Sequence, residues 1–172
     1  MSPPQPPLQS PIQEKIRWAN QAHEDLAARI RADGRAAELL ERLAGALEQS
    51  RAAAAEIRMG EVCGACELEQ GGSCCGQGLE NRYDVGLLLI NRLLGVELPE
   101  QRLLSARCYF LTRTGCLLRA RHVICVNFIC EKLSGSIRHD LLVRLREQEG
   151  EELETLFRLH DRLTQIIERG RG

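Results

Sequence analysis

Aromatic side chains are scarce in this chain: Trp18, Tyr83, Tyr109, Phe110, Phe128 and Phe157 are all it has among 172 residues. Valine, isoleucine and threonine together number only 20. A β-sandwich or a parallel sheet needs many such residues on pleated, half-buried surfaces, so both architectures are disfavoured. Long apolar runs are missing too. The longest, residues 85–90, falls far short of the roughly 18–20 residues that a membrane span requires. The N-terminal stretch has neither the basic start nor the apolar centre of a signal peptide, and the expectation is a cytoplasmic protein without a membrane partner. A formal net charge of -1 gives no support to a general nucleic-acid or membrane-surface binder.

What is abundant is helix-forming. Leucine, arginine, glutamate, alanine and lysine sum to 85 residues, close to half of the chain, a composition of long helices and bundles. A chain of this length buries very roughly 70% of its unfolded surface, so its core does not need disulfides. Residues 1–11 carry five of the six prolines and read as a disordered tail, because proline removes backbone donors and fixes an extended conformation. Helical periodicity then begins. Ile12, Ile16, Ala19, His23, Leu26 and Ile30 recur at spacings of four and three until Asp33 and Gly34, and Ala36, Leu40, Leu43, Leu47, Ser50, Ala54 and Ile57 repeat the pattern up to Gly60. Residues 12–60 are therefore expected to form an antiparallel helical hairpin.

Residues 134–172 supply a third long helix, with Ile137, Leu141, Leu142 and Leu145, then Leu153, Leu156, Phe157, His160, Leu163 and Ile167 on its apolar face. Near Gly150 that helix either breaks or tolerates the glycine. The amphipathic stripes must be buried against one another, which predicts an all-α helical bundle flanking a loop-rich cysteine segment. His23, His160 and Trp18 lie on or beside these stripes and read as packing residues rather than ligands.

All eight cysteines fall within residues 61–133, where a short apolar helix over 81–94 separates two groups. In a reducing cytosol clustered cysteines read as metal-binding or redox-active. The first group is Cys63, Cys66, Cys74 and Cys75, in a glycine-rich loop. A two-residue gap lets one turn present Cys63 and Cys66 to one centre, and glycines permit the tight turns that aim backbone N–H groups at sulfur. The second group is Cys108, Cys116, Cys125 and Cys130. In an unbroken helix, five residues rotate the chain by about 500°, so Cys125 and Cys130 would point roughly 140° apart. Either that segment is irregular or the two sulfurs serve different irons or centres. Adjacent Cys74 and Cys75 also diverge. Both spacings suit a polynuclear cluster, or two centres, better than one zinc ion. Between residues 101 and 138, Arg102, Arg107, Arg113, Arg119, Arg121, Lys132 and Arg138 face a single acid, Glu131. Such cations would stabilise an anionic thiolate cluster.

These residues carry a resemblance. The order Cys63-x-x-Cys66, Cys74, Cys75, then Cys108, Tyr109, Phe110, Leu111, then Gly115, Cys116, Leu118, Arg121, Cys125, Phe128 and Cys130 resembles the bacterial cysteine-cluster family called YkgJ, described as a zinc- or iron-chelating domain of the CxxCxxCC type. The similarity covers residues 61–133, and all eight family cysteines have counterparts. Seven residues rather than about two separate Cys66 from Cys74, and His122 stands where the family has proline. The resemblance implies metal binding. Related domains also occur beside flagellin lysine N-methylases, but this length leaves no room for a separate methyltransferase domain.

The function expected from these residues is an iron–sulfur protein, with one or two 4Fe-4S sites held by the eight cysteines, acting in electron transfer, redox sensing or as an accessory factor with a protein redox or client partner. The alternative is a zinc-binding interaction module, closed and redox-silent. No catalytic site is evident. A thioredoxin-like role for Cys63 and Cys66 lacks the βαβ pattern it needs, and Gly76 and Gly78 lack the spacing of a phosphate loop.

Overall fold

A computed structural model describes residues 4–63 and 74–170. Among the described residues the chain is all-α, as expected, with one two-stranded hairpin. Residues 4–11 run as extended chain with one turn, in which Ser10 N–H donates to Pro7 O at 3.0 Å. Helix α1 (Ile12–Ala32) follows Pro11 directly and α2 (Gly34–Glu56) follows Asp33 directly. Asp33 is the whole connection. Its carboxylate accepts from Ala36 N–H at 2.9 Å, capping α2, as a short acidic side chain does at this position.

The apolar stripes lie largely where the periodicity puts them. Ile12, Ile16, Ala19 and Ile30 are buried in α1, and Trp18 is 4% exposed and packs in the core; His23 and Leu26 are half-buried. The pairing of the helices differs from the expected hairpin. The main neighbour of α2 is the C-terminal helix, and that of α1 is the short apolar helix of the cysteine region, while α1 and α2 touch each other far less. A one-residue connector is shorter than the 2–8 residues that usually join bundle helices side by side. Helix α2 also stops before Gly60: it ends at Glu56, and Arg58 takes a left-handed φ of 55° before residues 59–63 turn helical again.

The short apolar helix starts later than 81. A 3-10 turn covers Leu79–Arg82, Tyr83 is extended, and Asp84 caps α3 (Val85–Leu93) by accepting from Leu87 N–H at 2.8 Å. A good N-cap thus overrides apolar periodicity in fixing the boundary. Gly95 ends this helix as expected, at φ 85°. The hairpin pairs β1 (Leu111–Thr112) with β2 (Gly115–Cys116). Two short helices follow, α4 (Val123–Asn127) and α5 (Glu131–Ser136).

Helix α6 (His139–Arg169) runs 31 residues without a break at Gly150. It buries Leu145, Leu156, Leu159, Leu163, Ile166 and Ile167. Phe157, expected on that face, is 72% exposed. With about 100° per residue, a stripe through Leu156, Leu159 and Leu163 leaves position 157 turned outward. Ion pairs pin α6 to the rest: Arg162 Nε reaches Asp33 Oδ1 at 3.0 Å, and Arg42 Nε on α2 reaches Glu151 Oε1 at 2.8 Å. Among the described residues no helix is long and apolar enough to cross a membrane.

Candidate metal centre

The cysteine segment is held to the bundle by individual polar residues, each satisfied many times over. Asn91, fully buried on α3, is the chief of these. Its Oδ1 accepts from Arg119 N–H at 2.9 Å and Ala120 N–H at 3.0 Å, and its Nδ2 donates to Leu87 O at 3.0 Å and Ala120 O at 2.9 Å. This seats the segment leaving β2 on the apolar helix. Glu80, 2% exposed, gathers the loop on the other side. It accepts from Gly78 N–H at 2.9 Å, from Tyr109 N–H and from the Arg102 guanidinium. Burial alone would raise its pKa, but Arg102 and the backbone donors hold it below the usual carboxylate range. Gly78, at φ 97°, supplies the left-handed step that lets the carboxylate fold back onto the N–H groups.

Lys15 is the third clamp. It is fully buried on α1, and its Nζ donates to Asn81 O at 3.0 Å and Tyr83 O at 2.9 Å, closing the end of the 3-10 turn. Burial lowers its pKa and Asp84 partly restores it. None of these three was singled out from the sequence. Lys15 did carry a signal, since it sits three residues after Ile12 on the buried stripe, and Asn91 interrupts an apolar helix.

Clamped in this way, cysteines from three segments approach one another. Cys108 N–H donates to Cys75 O at 2.9 Å, and Gly76 bridges Arg107 in antiparallel fashion. Cys116 faces Leu111 across the hairpin, and Leu117 N–H closes it onto Phe110 O at 2.9 Å. Tyr83, 1% exposed, joins these parts to the third segment. Its ring meets Phe110 edge-on at 5.3 Å, and its hydroxyl donates to Cys125 Sγ at 3.8 Å while accepting from His122 N–H at 3.1 Å. Cys125 lies in the first turn of α4. His122 caps that turn, its Nδ1 accepting from Ile124 N–H at 3.2 Å, which engages one of its two ring nitrogens.

The thiols influence one another. The hydrogen bond with Cys74, burial, and the charges of Cys74, Cys116 and Cys125 all push the Cys75 thiol up. Burial raises Cys116 and Cys125; Arg121 pulls both back, Arg51 acts on Cys116, and the Tyr83 hydroxyl acts on Cys125. Cys116 is raised although the residue reaches the surface, because protein crowds its sulfur. Cys108 lies behind the group, buried and pushed up to about 11 chiefly by desolvation. No disulfide joins the described cysteines.

Of the eight expected ligands, the structure therefore draws together Cys74, Cys75, Cys116 and Cys125, with Cys108 adjoining. The gap from Cys125 to Cys130 is irregular: α4 ends at Asn127, Phe128 is extended, and Cys130 O accepts from Ser134 N–H at 3.0 Å at the start of α5. Cys63 is the last described residue of the helical stretch at 59–63. Cys66, with the glycine-rich loop around Gly71 and Gly72, lies outside the described residues. Among those that are described, no group of three or more His, Cys, Asp or Glu side chains is arranged to hold a metal ion. The described thiols form a neighbourhood rather than a finished coordination sphere.

Of the basic residues from 101 to 138, Arg121 acts on both Cys116 and Cys125. Arg102 serves Glu80, Arg138 pairs with Asp140, and Arg119 Nη1 donates to Leu94 O at 3.1 Å. The second cation beside the thiols is Arg51, on α2 and outside the cysteine region; its Nη2 donates to Leu118 O at 3.3 Å. Compared with known proteins, the chain matches no family model, no curated protein and no solved structure.

Proposed function

We propose that the chain is a metal-binding protein whose cysteines hold an iron–sulfur cluster, one or two sites of the 4Fe-4S type, and that it works with a protein partner in the cytoplasm in electron transfer, redox sensing or as an accessory factor. The zinc- or iron-chelating character implied by the YkgJ-like motif belongs to the same reading. The observation that carries it is that thiols from three segments, Cys74 with Cys75, Cys116 and Cys125, lie near enough to raise one another's proton affinity, with Cys125 held by the Tyr83 hydroxyl.

The donor set fits such a group. It consists of thiols, and vicinal Cys74 and Cys75 suit neighbouring irons better than one tetrahedral ion. Cys63, Cys66, Cys108 and Cys130 complete the eight. A bound cluster supplies one-electron transfer. The chain's own residues then set the conditions: Tyr83 orients Cys125, and Arg51 and Arg121 offset thiolate charge. Because burial raises the thiols, loading displaces protons and strengthens as pH rises.

Purification without oxygen tests the proposal, followed by a visible spectrum and assays of iron, acid-labile sulfide and zinc. The expected protein is brown, with iron and sulfide in comparable amounts. A colourless protein with stoichiometric zinc and no sulfide would overturn it and leave the zinc module.

A further inference from the structure

The short helix α4 (Val123–Asn127) buries little of the apolar surface it carries. Val126 is buried and Cys125 half-buried, whereas Val123 and Ile124 are exposed and Phe128, the residue after the helix, is 50% exposed. Among the described residues seven large apolar side chains are exposed, and these three together with Val143 on α6 make four of the seven. Single exposed apolar residues need no explanation, but a contiguous group does. Arg146 supplies the contiguity. Its Nη2 donates to Asn127 O at 2.8 Å at the end of α4. On α6 the same residue lines, with His139, Leu142, Val143 and Glu147, an open and mainly apolar depression of about 410 Å³. The exposed face of α4 and this depression therefore border on one another.

The surface is also held ready. The Tyr83 hydroxyl fixes the entry to α4 by accepting from His122 N–H at 3.1 Å, and Arg146 fixes its exit. A face that is already ordered loses little freedom when a ligand settles on it.

Charge distinguishes its two ends. Residues 101–130 contain five arginines and no aspartate or glutamate. Just ahead of α4, Arg121 makes no ion pair among the described residues, and Arg119 comes no nearer than 3.9 Å to the exposed carboxylate of Glu48. At the α6 end the cations are already neutralised: Arg146 pairs with Glu149 at 2.7 Å and Arg138 with Asp140 at 2.6 Å, while Glu147 borders the depression. The surface is thus positive before α4 and apolar beyond it. A five-residue helix is too short to lie along a membrane as an amphipathic helix does. Phe128 is the one aromatic ring on it, which makes a poor platform for stacked bases.

We infer that α4 and the adjoining depression are the docking site for a segment of a partner protein that carries carboxylates followed by a large apolar side chain. The carboxylates pair with Arg119 and Arg121, and the apolar side chain packs on Phe128 and fills the depression beside Val143. The inference rests on the reading above for the existence of a protein partner, and it seats that partner on the helix that bears Cys125; a bound cluster is not required for the contact.

The test is fluorescence anisotropy of the purified protein with a labelled synthetic peptide, a block of glutamates followed by leucine and phenylalanine, and with a counterpart carrying lysines for glutamates. The glutamate peptide is expected to bind at least about tenfold more tightly than the lysine peptide, and added salt should weaken it. Phe128→Ser and Val143→Ser should each weaken binding at least about tenfold, as truncation of an anchor contact does. Arg119→Gln should flatten the salt dependence. Phe157→Ser, which removes an exposed ring about 21 Å further along α6 than Val143, should change nothing. Absence of binding, equal binding of the two peptides, or undiminished binding in the serine variants overturns the inference. So does self-association in sedimentation that Phe128→Ser abolishes, since a second copy then occupies the face, and so does tighter binding to vesicles containing phosphatidylserine than to the peptide. Should Phe128→Ser fail to fold, Val143→Ser on the other side of the border decides. Brown protein that ignores the glutamate peptide overturns the inference alone; colourless zinc-loaded protein that binds it upholds the inference and overturns the iron–sulfur reading.

Discussion

The helical frame and the cysteine segment are held by different forces. In the frame, α1, α2, α3 and α6 bury leucine, isoleucine and alanine against one another, and many side chains share the load. In the segment from Cys74 to Cys125, short turns and a six-residue hairpin are fixed by a few buried polar residues, Asn91, Glu80, Lys15 and Tyr83, each making several directed bonds. Hydrophobic burial is tolerant of detail, whereas a polar clamp places backbone to within a hydrogen-bond length. A frame needs the first kind of support and a set of ligands needs the second. Helix α3 belongs to both, since one of its faces lies in the core and Asn91 reaches the segment.

That difference is open to attack by mutation. Leu88→Ala in the buried face of α3 should cost about 3–5 kcal/mol, the range for a large-to-small change in a packed core. It should lower the melting temperature of the entire chain and weaken frame and segment together. Asn91→Ala should cost less, about 2–3 kcal/mol, by leaving the Arg119 and Ala120 amides and the Ala120 carbonyl unpaired. Its effect should be local: amide exchange should speed up over residues 107–127 well before it does in α2 or α6. Uniform loss of protection would mean that the two regions are not separately supported.

A smaller effect lies at the contact of α3 with α6. Added at Gly86, a Cβ would meet His160 Nε2 at 2.5 Å. Gly86→Ala should push the ring off Asp84 Oδ1, 3.0 Å away in the native protein, while gaining up to about 1 kcal/mol of helix propensity. Stability should therefore change little, and the readout is the His160 titration by NMR. Asp84 raises the His160 pKa above its usual 6.5, so the ionic contribution of the pair is fully present below that value and is lost as pH rises through the raised one. At the acid end, Asp84 is held low, chiefly by His160 against the opposing effect of burial, and its contribution disappears as pH falls through the lowered value. In Gly86→Ala the His160 pKa should drop, and an unchanged titration would show that the pair does not need the glycine. The smallest effect should be that of Phe157→Ser, within about 0.5 kcal/mol in thermal or denaturant unfolding, because the ring is 72% exposed.

The frame was legible because periodicity is a local property. Ile16, Ala19, Leu43, Leu47 and Leu163 could be placed by counting threes and fours. The same counting put Phe157 inside, because adjacent apolar positions such as 156 and 157 cannot be ranked without knowing where the neighbouring helix lies. The choice of partners was hidden too, since it depends on the single-residue corner at Asp33. In the segment, cysteine spacing marks the residues worth watching and shows that 125 and 130 cannot both reach one ion from an unbroken helix. It could not say that Cys116 and Cys125 lie close enough to act on each other while Arg51 approaches from α2, because that placement depends on Asn91 and Tyr83. Such residues look like exceptions to a pattern, and in one sequence an exception has no evident purpose until its partners are seen.

Tyr83 and Asp84 are consecutive residues with opposite addresses. The first touches Cys125 and the second touches His160 on the longest helix. One peptide unit therefore separates the thiol site from the seat of α6, and the backbone offers no slack between them. Whatever stiffens the hold on Cys125 must also narrow the freedom of the α6 contact, and a partner that grips α6 must act back on the thiols with equal free energy, since coupling between two sites is reciprocal.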